Sequence, residues 1–322
     1  MTESITLAHI SDVHLGPLGG FRPRYWNLKR GLGYLNWHTR RRAVHSREVA
    51  DLIAADAVAA RADHIAVTGD LANLGLPAEY DAALTWLEAL GPPERVSVVP
   101  GNHDIYTARL HGASCLDTWQ RHMTPDAFGA GIIKTRDDGF PYVRRVGPVA
   151  IVGLNSAVPT PPFVAAGKVG DAQLKALGPV LDLLAAAQMI RVVLIHHPPL
   201  PGQAPPRRGL ADAADLEKVL MQHGAELVLH GHNHRDMLAW RQWHRGAFPV
   251  IGVASGSACR PHKAEPPARY NLFRIGRSGG EVSIDWSLRG LDLNGREIIE
   301  IERRSLGAHT KGGRDARVGK LA

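Results

Sequence analysis

The stretch Val96-Ser97-Val98-Val99-Pro100-Gly101-Asn102-His103-Asp104 decides the fold of this chain. Its apolar, β-branched first half predicts a buried strand, and Pro100 with Gly101 ends that strand abruptly. Asn102, His103 and Asp104 follow at once, and all three can bind metals, move protons or orient a neighbour. Open α/β sheets hold their ligand sites at the carboxyl ends of strands. We therefore expect a functional site on a rigid sheet edge.

The same arrangement, an apolar strand that ends in metal-binding side chains, recurs along the chain. In order, the other predicted strands end in Ser11-Asp12-Val13-His14, Gly69-Asp70, His196-His197-Pro198-Pro199 and Gly231-His232-Asn233-His234. Together with Gly101-Asn102-His103-Asp104 they form the series DxH, GD, GNHD, HHPP and GHxH. Each motif alone is weak evidence, but the whole series in this order, each after an apolar strand, is very specific.

Alternating helices and strands dominate the first part of the chain, and strands dominate the last part, which favours a layered α/β architecture. We predict helices at about 46–62, 77–90, 171–189 and 212–224, and a short helix near 114–122. Residues 105–148 are otherwise expected to be irregular. Further strands are predicted at 149–154, 248–254, 270–275 and 282–288, the last three in a second sheet.

Composition and charge limit the class of protein. The 322 residues carry motifs from Asp12 to His234 that must converge, so we predict one catalytic domain at 1–305 and a basic, disordered tail at 306–322. Two cysteines make no disulfide framework, and no signal or membrane-spanning segment is evident, so we expect a cytoplasmic protein. The net charge of +7 favours anionic partners. No separate nucleic-acid-binding motif is present, so a nuclease ranks low.

A basic, aromatic insertion occupies residues 16–44. It carries seven basic residues, and no acidic residue occurs from 16 to 47. Its apolar residues at helical spacing are Tyr25, Leu28, Leu32 and Leu35. Gly31 and Gly33 weaken a helix there by about 1 kcal/mol each. We predict a cap on the substrate side of the site, with contact to an anionic membrane surface as a second hypothesis.

The residue types at the strand ends suit a centre of two divalent ions. Asp70 suits the bridging position, because a carboxylate has two oxygens and can join both ions. Asp12 and His14 stand two apart in a segment expected to be extended, so their side chains should point to one side, and the same holds for His232 and His234. No cysteine is among these candidate ligands, which favours Mn, Fe, Zn or Co.

The motif series resembles that of the calcineurin-like metallophosphoesterases, from about Ile5 to the strands after His234. The resemblance implies a four-layer α/β/β/α sandwich of two mixed β-sheets flanked by helices. It implies that the first metal ion is held by Asp12, His14, Asp70 and His234. It implies that the second is held by Asp70, Asn102, His196 and His232.

The resemblance also implies individual roles. His196 is preferred to His197 as the ligand, because members of the family tend to use the histidine two before the proline. His103, which completes the catalytic set with Asp70 and Asn102, would assist the leaving group by protonating its oxygen or by holding the phosphate. Asp104 would support the loop or a ligand.

The implied function is a dinuclear metal-dependent phosphohydrolase that cleaves a phosphodiester or nucleotide by metal-activated hydroxide. Members with a catalytic His–Asp dyad carry an aspartate where this chain has Asn73, so the chain looks more similar to class III cyclic-nucleotide phosphodiesterases. Two alternatives stay open. One is a lipid-linked nucleotide pyrophosphatase similar to UDP-2,3-diacylglucosamine pyrophosphatase. The other is a non-enzymatic scaffold, which predicts missing ligands, and none is missing.

The remaining arginines and histidines of interest are not assigned to the metal centre. Arg207 and Arg208 form either a phosphate clamp or solvated loop charge. The histidines interpreted as packing or surface residues are His38, His45, His64, His111, His122, His223, His244, His262 and His309.

Overall fold

The computed structural model describes residues 4–107, 113–133, 139–244, 246–278 and 280–306. Of the tail predicted at 306–322, only Leu306 is described, and it is buried rather than disordered; residues 307–322 lie outside the described part. The strands are β1 (Ser4–Ile10), β2 (His64–Val67), β3 (Val96–Val98), β4 (Tyr142–Val146), β5 (Val149–Gly153), β6 (Ile190–Leu194), β7 (Leu227–His230), β8 (Met237–Trp243), β9 (Gly246–Gly252), β10 (Arg269–Ser278), β11 (Glu281–Leu291) and β12 (Ile298–Ser305). The helices are α1 (Leu28–Thr39), α2 (Arg47–Ala59), α3 (Pro77–Leu90), α4 (Cys115–Thr118), α5 (Ala127–Ile132), α6 (Asp171–Ala186) and α7 (Ala213–His223).

Two mixed sheets of six strands each organise these elements. The first sheet has the order β12-β11-β10-β1-β2-β3, in which β1, β2 and β3 are parallel. The second has the order β4-β5-β6-β7-β9-β8, in which β5, β6, β7 and β9 are parallel. Parallel pairing brings the carboxyl ends of β1, β2 and β3 to one edge, and those of β6 and β7 to one edge of the other sheet.

The sheets pack face to face, as the alternation along β6 shows. Val192 and Leu194 join the apolar core that also contains Ile10 of the first sheet. Val193 points to the opposite face, where it joins a second core together with Leu181 of α6 and residues of α7. On the other side of the molecule, α2 packs against β10, β11 and β12. The predicted four-layer sandwich of two mixed sheets flanked by helices is therefore confirmed.

Residues at the helix ends correctly predicted where several helices begin and end. Ser46 caps α2 with its side-chain oxygen, which accepts a hydrogen bond from the amide of Val49 at 3.3 Å. Pro77 begins α3, where its missing N–H is tolerated, and α3 ends before Gly91. Among the described residues no helix is long and apolar enough to cross a membrane.

The strand pairing differs from the prediction. The strands expected at 248–254, 270–275 and 282–288 exist, but they do not form one separate sheet. Instead β9 pairs with β7 in the second sheet, while β10 pairs with β1 in the first. Three strands were not predicted, namely β4 within the supposedly irregular region, β8 and β12. The periodicity of apolar residues indicates whether a segment forms a strand. Which neighbouring strand it pairs with depends on tertiary packing.

The insertion forms a helical cap that docks on the domain. Arg30 is buried in α1 and donates to the carbonyl oxygens of Leu74 and Gly75 at 3.1 and 3.3 Å. Trp37 is also buried, but Leu28 and Leu35 are exposed. The helix therefore docks through Arg30 and Trp37. In the predicted apolar stripe, Leu28 and Leu35 face outward and Leu32 is half-buried, whereas Tyr25 is buried against Leu74 and Leu76.

Candidate metal centre

The loops that follow five parallel strands meet where the two sheets face each other. Ile10 pairs with Val67, and Val67 with Val98, so the loops after β1, β2 and β3 begin at one level. In the second sheet Leu194 pairs with Leu229, which aligns the loops after β6 and β7. The candidate ligands that these loops bring together are Asp12, His14, Asp70, Asn102, His196, His232 and His234.

One group of side-chain atoms converges around Asp12. The Nε2 atom of His234 lies 3.2 Å from Nε2 of His14 and 3.3 Å from Oδ1 of Asp12. The Nε2 atom of His14 lies 3.8 Å from Oδ2 of Asp70. Metal–nitrogen and metal–oxygen bonds of about 2.0–2.2 Å separate ligand atoms by such distances. These four side chains are the set that the family resemblance implied for the first ion.

A second group converges around His196. Its Nε2 atom lies 3.2 Å from Oδ1 of Asn102, 3.2 Å from Nδ1 of His232 and 3.5 Å from Oδ2 of Asp70. The same Asp70 oxygen therefore approaches histidine nitrogens of both groups. That position is the one a bridging carboxylate needs.

The hydrogen-bond partners of His14 and His234 show whether the first ligand group fits a cation. His14 Nδ1 lies 3.2 Å from the carbonyl of Ala72, and His234 Nδ1 lies 3.2 Å from a carboxylate oxygen of Glu265. Each ring therefore has an acceptor for a proton on Nδ1, so the neutral rings direct their two Nε2 lone pairs at each other. Asp12 Oδ1, beside them, is buried without a hydrogen-bond donor among the described residues. A cation satisfies all three atoms, so the donor set fits a metal ion.

The backbone holds these ligands in an uncommon conformation. Asp12 and His14 have φ values of 55° and 41°, and Asp70 has 57°. His232 and His234 also have positive φ, 70° and 53°. The segments are therefore not extended. The prediction that an extended backbone places the side chains of each pair on one side was wrong, although the side chains do converge. Left-handed residues at tight turns cluster at functional sites, because the surrounding structure must hold them there.

Asp104 links two of these turns. Its carboxylate accepts hydrogen bonds from the amides of Asp70, Ala72 and Gly101 at 2.7–2.9 Å. Gly101 packs so closely on Asp70 that a Cβ atom would collide with the Asp70 carboxylate. These contacts agree with the interpretation of Asp104 as a support for the loop, and they explain the glycine in GNHD.

His196 and His197 differ in what their ring nitrogens contact. His196 Nδ1 lies 2.6 Å from the carbonyl of Thr68, which leaves Nε2 facing the candidate ligands. Both nitrogens of His197 contact other groups, Ser156 Oγ at 2.8 Å and the carbonyl of Ala165 at 3.2 Å. The geometry therefore favours His196.

His103 lies on the wall of an open cavity of about 320 Å³ above the candidate ligands. Its Nδ1 atom lies 2.6 Å from the carbonyl of Asn73, and its Nε2 atom lies 3.0 Å from a guanidinium nitrogen of Arg41. Burial and the Arg41 charge hold the pKa of His103 well below its ordinary value. Neutral His103 therefore donates to Asn73 and accepts from Arg41.

Sequence reasoning did not assign several of the residues that line the cavity to the site. Arg41 comes from the insertion, and Lys263 comes from the loop before β10. Arg208, for which two interpretations were open, lies in the cavity wall and donates to the His232 carbonyl at 3.3 Å. His45, expected to be a packing or surface residue, has its ring centroid 4.8 Å from that of His14. The density of basic residues in the insertion was the available signal for Arg41, whereas His45 had none.

A sandwich of two mixed sheets with aspartate, histidine and asparagine side chains gathered at its carboxyl edge defines a class, the metallophosphoesterases. The chain belongs to the calcineurin-like phosphoesterase family, whose sequence model matches residues 5–236. Membership supports a hydrolase of a phosphorylated substrate.

Solved structures share this fold. A dimetal phosphatase from Danio rerio matches with a TM-score of 0.57 and 16% identity, over 92% of this chain and 98% of that chain. A purple acid phosphatase from yellow lupin (Lupinus luteus) seeds matches with a TM-score of 0.57 and 12% identity, over 95% of this chain but only 54% of that chain. The chain thus spans about half the length of the lupin protein. At these identities the likeness concerns the fold. No curated protein sequence matches the chain.

Proposed function

We propose that the chain is a dinuclear, metal-dependent phosphodiesterase that hydrolyses a phosphodiester or nucleotide. The observation that carries the proposal is the position of Asp70 Oδ2, which lies 3.8 Å from His14 Nε2 and 3.5 Å from His196 Nε2. One carboxylate oxygen between two sets of ligands is the geometry expected for a bridge. Two ions such as Mn, Fe, Zn or Co, when bound, would supply Lewis-acid activation of water and of the phosphoryl group.

The ligand side chains set the charge of the proposed centre. Asp12 and Asp70 contribute two negative charges, and the histidines and Asn102 contribute none while they act as ligands. The loaded centre would therefore keep about two positive charges, which attract a phosphate. Glu265 accepts from His234 and so fixes the orientation of that ring.

His103 and Arg41 are proposed to assist the leaving group. The hydrogen bond to Asn73 holds the His103 ring in place, and the ring in turn receives one N–H of Arg41. Arg41 has four further N–H donors. We infer that these donors bind a phosphoryl or leaving oxygen and stabilise the charge that develops on it. This role corresponds to the phosphate-holding alternative for His103.

The phosphodiester preference rests on Asn73. His103 Nδ1 contacts the backbone oxygen of this residue and not a carboxylate, while the Asn73 side chain donates to the carbonyl of Leu15 at 3.0 Å. The dyad of the phosphoprotein phosphatases is therefore not reproduced. A cyclic-nucleotide or other diester substrate, as in the class III phosphodiesterases, remains the substrate class that we propose.

A lipid-linked nucleotide pyrophosphatase is the second candidate. Arg41, Arg208 and Lys263 line the cavity beyond the candidate ligands. A second phosphate next to the scissile one would be bound by such a wall. The complete ligand set, by contrast, disfavours the non-enzymatic scaffold. The free cysteines Cys115 and Cys259 are consistent with the proposed cytoplasmic location.

Hydrolysis assays with and without Mn²⁺ test the proposal. The panel contains bis-p-nitrophenyl phosphate, cyclic nucleotides and a nucleoside diphosphate sugar. We expect chelation to abolish hydrolysis, Mn²⁺ to restore it, and Asp70→Asn to lose bound metal and activity together. Asp51→Asn, an exposed carboxylate on α2, is the matched control. Full activity in a demonstrably metal-free sample would refute the proposal, and hydrolysis of the diphosphate sugar alone would select the second candidate.

A further inference from the structure

Large apolar side chains are exposed on the cap. Trp26 is 64% exposed, Leu28 70% and Leu35 60%, and Phe163 in the loop before α6 is 80% exposed. Leu28 and Leu35, with the half-buried Leu32 between them, recur at the spacing of one helix face. We call Trp26, Leu28, Leu32, Leu35 and Phe163 the apolar rim. Isolated exposed apolar residues are ordinary, but a group on one helix and its adjoining loop marks an interaction surface.

The apolar rim cannot turn inward, because the other side of α1 is fastened to the domain. Lys29 Nζ donates to the carbonyl of Tyr106 at 2.8 Å and to the carbonyl of Thr160 at 2.9 Å. The second bond also joins α1 to the loop that carries Phe163. Trp37 is buried on the inner side of the same helix. The outward position of the rim is therefore a feature of the docked cap.

The apolar rim lies next to the mouth of the cavity. Asn36, which follows Leu35, lines the cavity, and so does Ala165, two residues after Phe163. A flat partner that covered the rim would therefore lie against the cavity opening. A partner elsewhere on the surface would not have this relation to the site.

The charged residues of the insertion that carries most of the apolar rim are all basic. Arg22, Arg40 and Arg42 are exposed, and no acidic residue occurs from 16 to 47. Within the described part of the chain, no carboxylate forms an ion pair with these three arginines. In a dimer formed through this surface, the arginines of one copy would face the same arginines of the other. The repulsion between like charges disfavours such a dimer.

We propose that the apolar rim and its arginines form a docking surface for an anionic lipid bilayer. Tryptophan and leucine on one face with arginines around them is the pattern of a helix that lies in a membrane interface. Apolar side chains enter the acyl boundary, and the arginines contact anionic headgroups. Docking in this way turns the cavity toward the membrane. The surface is independent of the proposed hydrolysis and is tested without it.

Sedimentation of the full chain with vesicles tests this docking surface. One set of vesicles is phosphatidylcholine, and the other is an equimolar mixture of phosphatidylcholine and phosphatidylglycerol. We expect salt-sensitive binding to the anionic vesicles only. Leu28→Ser with Leu35→Ser, and separately Arg22→Ser with Arg42→Ser, should each lower the partition coefficient about tenfold or more.

Control variants carry one substitution of each kind, Leu→Ser or Arg→Ser, on the turn between β11 and β12. Leu293 is 98% exposed and Arg296 is exposed, so Leu293→Ser and Arg296→Ser should bind vesicles as the native chain does. Absence of binding to anionic vesicles at low salt would overturn the proposal, as would equal binding by the Leu28→Ser, Leu35→Ser variant. Sedimentation velocity of the native chain gives a third outcome. If the chain self-associates through the apolar rim and does not bind vesicles, the bilayer proposal is refuted and a second copy of the chain is the partner of this surface.

Discussion

His103 faces the cavity while one of its ring nitrogens contacts the backbone. His103 Nδ1 lies 2.6 Å from the Asn73 carbonyl, and Nε2 is the ring nitrogen nearer to the Arg41 guanidinium, at 3.0 Å compared with 3.3 Å for Nδ1. The backbone amide of His103 donates to Asp70 Oδ1 at 2.7 Å, whereas its ring does not belong to either ligand group. Loss of the ring should therefore leave the amide contact and the candidate ligands in place.

We expect His103→Ala to keep its bound metal and to lower kcat by at least about 10²-fold, because Arg41 loses the acceptor that holds its N–H donors near the leaving oxygen. The loss should shrink for a substrate with a very good leaving group, which needs less stabilisation. Metal content and kcat on diesters of graded leaving-group pKa are the measurements. His244→Ala, an exposed histidine, is the control. A variant that no longer retains metal would contradict the assignment.

At the scale of the element, α1 contains two glycines whose surroundings differ. A Cβ atom at Gly33 would lie 2.5 Å from the Tyr106 hydroxyl oxygen and 2.6 Å from Leu74 Cδ2, both in the docking interface. A Cβ atom at Gly31 would lie 2.7 Å from the ring of Trp26, which is exposed and can move. Gly33 therefore permits close docking, while Gly31 only weakens the helix.

We expect opposite effects from the two alanine substitutions. Gly33→Ala should displace the cap and lower the free energy of unfolding by about 1–3 kcal/mol, the range for overpacking. Gly31→Ala should raise it by up to about 1 kcal/mol through helix propensity. Thermal or denaturant unfolding measures both changes. Because Arg41 follows α1, Gly33→Ala should also raise KM. Equal stability of the two variants would show that the cap is not docked through Gly33.

At the scale of the whole molecule, the candidate centre lies at the seam between the sheets. The loops of the first sheet carry Asp12, His14, Asp70 and Asn102, and those of the second carry His196, His232 and His234. The contacts between His14 and His234 join residues 220 positions apart. Bound ions would therefore hold the two sheets together, and metal binding should stabilise the entire fold.

We expect Mn²⁺ to raise the Tm of the chelated protein by several degrees, because a ligand at about 100 times its Kd adds about 2.7 kcal/mol to stability. Scanning calorimetry of the native chain and of Asp70→Asn, each with chelator and with Mn²⁺, measures the increment. The variant should lose most of the increase. The same increase in both proteins would place the stabilising ions elsewhere.

The sequence by itself determined the family, the layered α/β architecture and the side chains available for the centre. Each motif follows an apolar strand, and the strand, its Gly or Pro terminator and the polar residues after it are all local features. The helices with strong end signals were predictable for the same reason. Pro77 and Gly91 bound α3, and Ser46 caps α2.

Only the tertiary structure decided which strands pair, which additional residues reach the cavity and which side of the cap is exposed. The distribution of β9 and β10 between different sheets, and the contact between Arg41 and His103 across 62 positions, depend on packing between distant segments. Leu28 and Leu35 likewise face outward because Arg30 and Trp37, on the other side of α1, dock on the domain. Such contacts leave no periodic pattern in the chain, because each partner is selected by the shape and charge of a surface that exists only after folding.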